Sequence, residues 1–97
     1  MKEIFRLKEM LENENIPFEF IEYGDIKGYQ ITYPTIQFDI SVVQHRFSYG
    51  NHLNLLEMMD ILKPNVEGYL SAEDALERIK NHYKAGEIDD TSSGNQI

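Results

Sequence analysis

Two of the three histidines in this chain, His45 and His52, flank a short run that also holds Arg46, Ser48, Tyr49 and Asn51. Imidazoles, a guanidinium, a tyrosine and an amide could together stack a planar base and hold a phosphate, with Tyr29 and Tyr33 as further stacking surfaces. The spacing supports binding better than catalysis. His45 and His52 are seven residues apart across a turn, which is not the spacing by which one helix presents two metal ligands. Ser48 lies beside both imidazoles, but no Gly-x-Ser-x-Gly elbow surrounds it. Glu73-Asp74 reads as helix capping, and Asp89-Asp90 lies near the end of the chain, so no carboxylate pair is left for acid–base work. Gly24 to Gly28 lacks the Lys-Ser/Thr ending of a phosphate loop and has acidic neighbours. No catalytic residue, metal site or cofactor is therefore expected. A small-ligand site of nucleotide type, built from His45, Arg46, Tyr49, Asn51 and His52, is one reading.

Charge supports another. The chain has 97 residues, 17 acidic and 9 basic, for a net charge of −8. Nucleic-acid binders carry the opposite sign, because Lys and Arg must neutralise phosphates. The acids are also concentrated: between Glu9 and Lys27 there is no Lys or Arg, while Glu12, Glu14, Glu19, Glu22 and Asp25 all fall there. Such a stretch makes one negative surface able to dock on a basic groove of a protein partner, in the extreme by mimicking the phosphates of a nucleic acid. The plainer reading is a solvated acidic face that keeps the protein dispersed.

The elements that position these residues follow from periodicity. Ile4, Leu7 and Leu11 predict a helix over 2–14, stopped by Pro17. Phe18 to Tyr23 reads as a strand. Tyr29, Ile31 and Tyr33 alternate with Gln30 and Thr32 in a second, and Ile36, Phe38, Ile40 and Val42 alternate with polar residues in a third. Past Val42 the alternation changes face, which suggests a bulge near 42–44, or a strand end covered on both sides. Asn51 is a candidate cap for a helix over 52–62, whose Leu53, Leu55, Leu56, Met58, Met59 and Leu62 would form a broad apolar surface suited to burial or self-assembly. Residues 66–70 read as an extended connector. Ser71 and Asp74 form a capping box that opens a last helix, running to about Lys84, with Gly86 as its C-cap. His82 on that helix is expected to face solvent.

The expected fold class is α+β: a three-stranded antiparallel β-meander packed with helices, in the order α-β-β-β-α-α. One domain over 1–86 and a disordered tail over 87–97 are expected, since two domains would each be too small to hold a core. There is no cysteine. Glu3 and Glu9 interrupt any apolar leader, and no run approaches the roughly 18 apolar residues of a membrane span, so a cytoplasmic protein is expected.

Three segments carry a resemblance: Ser48-Tyr49-Gly50, Leu55-Leu56-Glu57-Met58-Met59, and Val66 to Asp74. Together they resemble the pattern SYG…LLEIMG…VEGWLTAEEVF found in small proteins of phages and prophages of Gram-positive bacteria. The likeness covers about the second half of the chain, and Met59-Asp60 stands where the pattern has Met-Gly. It implies a setting rather than an activity. Small accessory phage proteins often work by binding a host or phage protein. Some block host defence systems, including CRISPR nucleases, and others sequester signalling nucleotides. Three expectations result: an acidic protein-binding inhibitor, a small-ligand module around residues 45–52, and a homo-oligomeric assembly component using Leu53–Leu62.

Overall fold

The computed structural model describes residues 1–25 and 27–82. The tail from 87, the domain boundary at 86 and the Gly86 cap lie outside the described residues. Helix α1 (Glu3–Asn13) forms where the periodicity places it, and Ile4, Leu7 and Leu11 are fully buried. It ends in a Schellman motif. Asn15 takes a left-handed φ of 56°, its N–H donates to Glu12 O (3.1 Å), and Ile16 N–H reaches back to Leu11 O (3.0 Å). Asparagine tolerates that conformation, so it closes the helix there.

Five strands follow: β1 (Glu19–Tyr23), β2 (Gly28–Tyr33), β3 (Ile40–Gln44), β4 (Leu56–Asp60) and β5 (Glu67–Leu70). They form one antiparallel sheet in the spatial order β1-β2-β3-β4-β5. A last helix, α2, spans 72–82 in the described residues. The protein is α+β, but its order is α-β-β-β-β-β-α, and the expected three-stranded meander in the order α-β-β-β-α-α is wrong.

The expected helix over 52–62 is the main correction. Its apolar run is a 3₁₀ turn (Asn51–Leu53) followed by β4, in which Leu56 and Met58 are buried on one face and Met59 is exposed on the other. A run of leucines and methionines fits period 3.6 and period 2 equally well, and pairing with β3 decides in favour of the strand. The 66–70 connector is likewise β5. The third strand starts at Ile40 rather than Ile36, because a loop over 34–39, closed by Asp39 N–H on Tyr33 O, takes up the earlier alternation. No bulge occurs near 42–44, where the β2–β3 register is continuous. The irregularity lies instead between β4 and β5, opposite Leu56–Met58.

The register places Phe20, Ile31, Val42 and Met58 on one face with Tyr29, Tyr33, Ile40, Leu56 and Leu70. Both helices pack on this face. Burying each of its large side chains is worth about 1.5–3 kcal/mol. The helices run side by side in the same direction: Glu3 meets Ala72, Arg6 meets Glu73, and Glu14 meets Lys80. On the opposite face Tyr23, Gln30 and Ser41 form a hydrogen-bonded ladder across three strands, and Thr32 has a buried hydroxyl with no partner among the described residues. Among the described residues no helix is long and apolar enough to cross a membrane.

Candidate functional site

The acidic residues are set out by the turn that joins α1 to β1 and by β1 itself. Glu12 and Glu14 stand in the last turn of α1 and at its cap. Asn15 closes the helix, Pro17 follows in the connection, and β1 carries Glu19 and Glu22 onward to Asp25 in the following turn. All five are exposed. Two have cationic partners: Glu12 lies 3.4 Å from Lys8, and Glu14 lies 2.8 Å from Lys80. Side chains alternate along a strand, so Glu19 lies beside Thr32 on the outer face and Glu22 beside Tyr29 on the helix face. The five therefore follow the chain from the end of α1 through the outermost strand to the turn after it, an acidic rim rather than one flat face, with Glu14 turned toward Lys80 on α2. With a rise of about 3.3 Å per residue, β1 extends this rim over roughly 17 Å.

The alternative site divides into two halves. Ser48 closes the turn at the end of β3 by accepting from His45 N–H (3.0 Å) while its hydroxyl donates to His45 O (2.8 Å). His45 Nδ1 accepts Phe47 N–H (3.1 Å), which leaves the ring proton on Nε2 in the neutral imidazole, and the Arg46 guanidinium lies 4.7 Å from the centre of the Phe47 ring. On the other side the Tyr49 N–H donates to Glu57 Oε1 (2.9 Å), and His52 meets the edge of Tyr69 at 6.0 Å. Asn51 opens the 3₁₀ turn, its N–H donating to Ser48 O. Gly50 is required within the second half, between Tyr49 and Asn51: its φ is 97°, and a Cβ there would sit 3.0 Å from the Tyr69 backbone. His45 and Arg46 thus face Phe47, while Tyr49 and His52 face β5. Tyr29 and Tyr33 are not with them. Tyr29 joins Phe5 and Phe20 in a three-ring cluster under α1, and Tyr33 is buried.

Sequence reasoning missed a cleft of about 480 Å³ at the far end of the sheet, lined by Met58, Asp60, Lys63, Arg78, Asn81 and His82. His82 does not simply face solvent: its Nε2 lies 3.1 Å from Asp39 Oδ2, and its ring meets the edge of Tyr33. Arg78 forks onto Glu67 at 2.9 and 2.6 Å, which holds the Glu67 carboxyl below the ordinary range. These partners lie 43 and 11 residues apart along the chain, so no local motif announces them. A second, shallower groove of about 350 Å³ runs between the helices, past Met10, Leu76 and Lys80. Among the described residues no group of three or more His, Cys, Asp or Glu could hold a metal ion.

The fold and its rim define a class: an α+β protein with two parallel helices on one face of a five-stranded antiparallel meander, and carboxylates along its first strand. No protein-family model, curated protein or solved structure matches the chain.

Proposed function

We propose that this protein is a non-enzymatic binding protein whose contact surface is the acidic rim of Glu12, Glu14, Glu19, Glu22 and Asp25, and whose partner is a protein with a basic surface. One observation carries the reading: Glu19 and Glu22 stand exposed on the outermost strand, flanked in sequence by exposed Glu12, Glu14 and Asp25, in a stretch with no Lys or Arg between Glu9 and Lys27. A field of one sign speeds encounter with an oppositely charged partner and sets its orientation. The resemblance of residues 48–74 to small phage and prophage proteins supplies the setting: the cytoplasm of a bacterial host, where the partner is a defence or replication factor and binding inhibits it.

The test is affinity capture from a Gram-positive host lysate at low and moderate salt, comparing the wild-type chain with a Glu12→Lys/Glu19→Lys/Glu22→Lys triple variant. The expected result is a stoichiometric protein partner that weakens with salt and is absent from the variant. Equal capture by both proteins would rule out the rim as the contact surface.

A further inference from the structure

The two edges of the sheet differ in their readiness to pair. The β5 edge is blunted: the strand has four residues, its register shifts opposite Leu56–Met58, Tyr69 takes a left-handed φ of 59°, and Glu67 is clamped by Arg78. The β1 edge has none of these devices. Its five residues pair with β2 in uninterrupted register and contain neither Pro nor Gly. Among the described residues, no backbone group of residues 19–23 is hydrogen-bonded to any segment other than β2. An edge of this kind is a template for another strand, and charge is what guards it.

Resting on the acidic-rim reading, we propose that β1 receives an extended basic segment of the partner protein as a sixth strand. Charge complementarity selects this occupant. Glu19 and Glu22 are three residues apart and so point to opposite faces. A strand laid beside them must therefore carry Lys or Arg at positions three apart, one for each face. The residues between are matched by Phe20 and Ile21, which favour β-branched neighbours. Lys8, a cation beside β1, lies over the Phe20 ring and is engaged by Glu12. A second copy of the chain fits less well, because pairing β1 with itself would align four glutamates between two molecules of net charge −8.

The experiment pans random twelve-residue peptides, displayed on yeast, against the full chain at low salt. Enriched peptides are then synthesised with N-methyl groups on one or the other set of alternate amides. The expected peptides carry two basic residues three apart among β-branched residues, and bind at least about 10-fold more weakly to a Glu19→Lys/Glu22→Lys variant. Methylating the amides that face β1 should weaken binding about 30-fold, from the loss of two or three main-chain hydrogen bonds, while methylating the other set should change little. Peptides sensitive to charge reversal but indifferent to both methylations would overturn strand addition and leave the acidic rim standing. Enrichment that ignores the charge reversal, or no enrichment, would overturn both. Self-association through β1 that displaces the peptides would assign the edge to a second copy and overturn the proposal.

Discussion

Polar side chains gather in two regions of this protein and do opposite work. At the start of the two helices they are joined into one hydrogen-bonded network around buried Glu3 and Gln44. The Gln44 amide oxygen accepts Ile4 N–H (3.1 Å), and its nitrogen donates to Asn54 Oδ1 (2.8 Å), which also accepts Glu3 N–H (3.1 Å). Buried Glu3 accepts Ala72 N–H (2.6 Å) at the first turn of α2, and its second oxygen takes Arg6 (2.7 Å), whose guanidinium continues to Glu73 (2.5 Å). Both helix starts are thus capped from a distance, α1 by the sheet and the turn after it, α2 by α1. Along β1 the carboxylates face solvent, and no such network surrounds them. The same residue types hold the fold where their hydrogen bonds close on the chain itself, and stay in solvent where they do not.

The largest effect expected from breaking this contrast is at Gln44. Gln44→Leu fills a core position with an apolar side chain of similar size, but leaves the Ile4 N–H without an acceptor in the interior. Stranding a buried donor costs about 1–3 kcal/mol, and Asn54 loses its donor as well. The unfolding free energy should therefore fall by an amount near the top of that range, read as a lower denaturant midpoint with the slope unchanged. A Gln44→Leu protein as stable as wild type would mean that the closed network contributes nothing. A smaller loss, about 1 kcal/mol, is expected from Ser71→Ala. That change removes the acceptor of Asp74 N–H at 3.0 Å and leaves the reciprocal bond from Ser71 N–H to Asp74 intact.

Gln44 also shows why part of the fold was legible in the sequence and part was not. The α1 stripe, the β1–β2 hairpin and the Ser71–Asp74 box are signals within a few residues of one another, and each element stands where its pattern placed it. Gln44 lies on the buried face of β3, so a polar residue in a core position looks like a change of phase and invites a bulge that is absent. Its reason is the N-terminus of α1, 40 residues away, which no local window contains. The segment from Leu53 to Leu62 failed differently. Apolar at nearly every position, it fits either period, and its fate rests on β3 and β5 offering partners. Among the candidate site residues, the exposure of the five acids was legible, because a charge run on a solvated surface is a local property. The grouping of His45, Arg46, Tyr49, Asn51 and His52 was not, because proximity in sequence does not say that His45 and Arg46 pack on Phe47 while Tyr49 and His52 pack toward β5.

Acid sharpens the comparison at a third position. The carboxyls held below their ordinary range are Glu67, Glu73 and Asp74, through hydrogen bonds from Arg78, Arg6 and Ser71 respectively, and all three lie at or near the start of α2. A carboxyl with a depressed value in the folded protein adds stability that is complete above its unfolded value, about 4.3 for Glu, and disappears as pH falls through the folded value. The stability gap between wild type and Glu67→Gln should therefore be present at neutral pH and close below pH ~4. Its size should be less than that of Ser71→Ala, because an exposed ion pair is screened by water and salt. A gap that persists unchanged at lower pH would assign the effect of the substitution to packing rather than to charge.

The smallest expected effect on stability is at the rim itself, and there the smallness is the point. Glu19→Lys/Glu22→Lys alters two exposed side chains that make no ion pair among the described residues, so the unfolding free energy should move by no more than about 0.5 kcal/mol. A slight gain is expected, because the substitutions lower the self-repulsion of a chain at −8. Partner capture by the same protein should be lost. A residue that holds the fold cannot give that pair of outcomes, since its loss of binding would follow its loss of stability, as Gln44→Leu would show. If the double variant melts several degrees lower, the β1 carboxylates belong with Glu3 and Gln44 as parts of the framework, and the distinction between the closed network and the open rim fails.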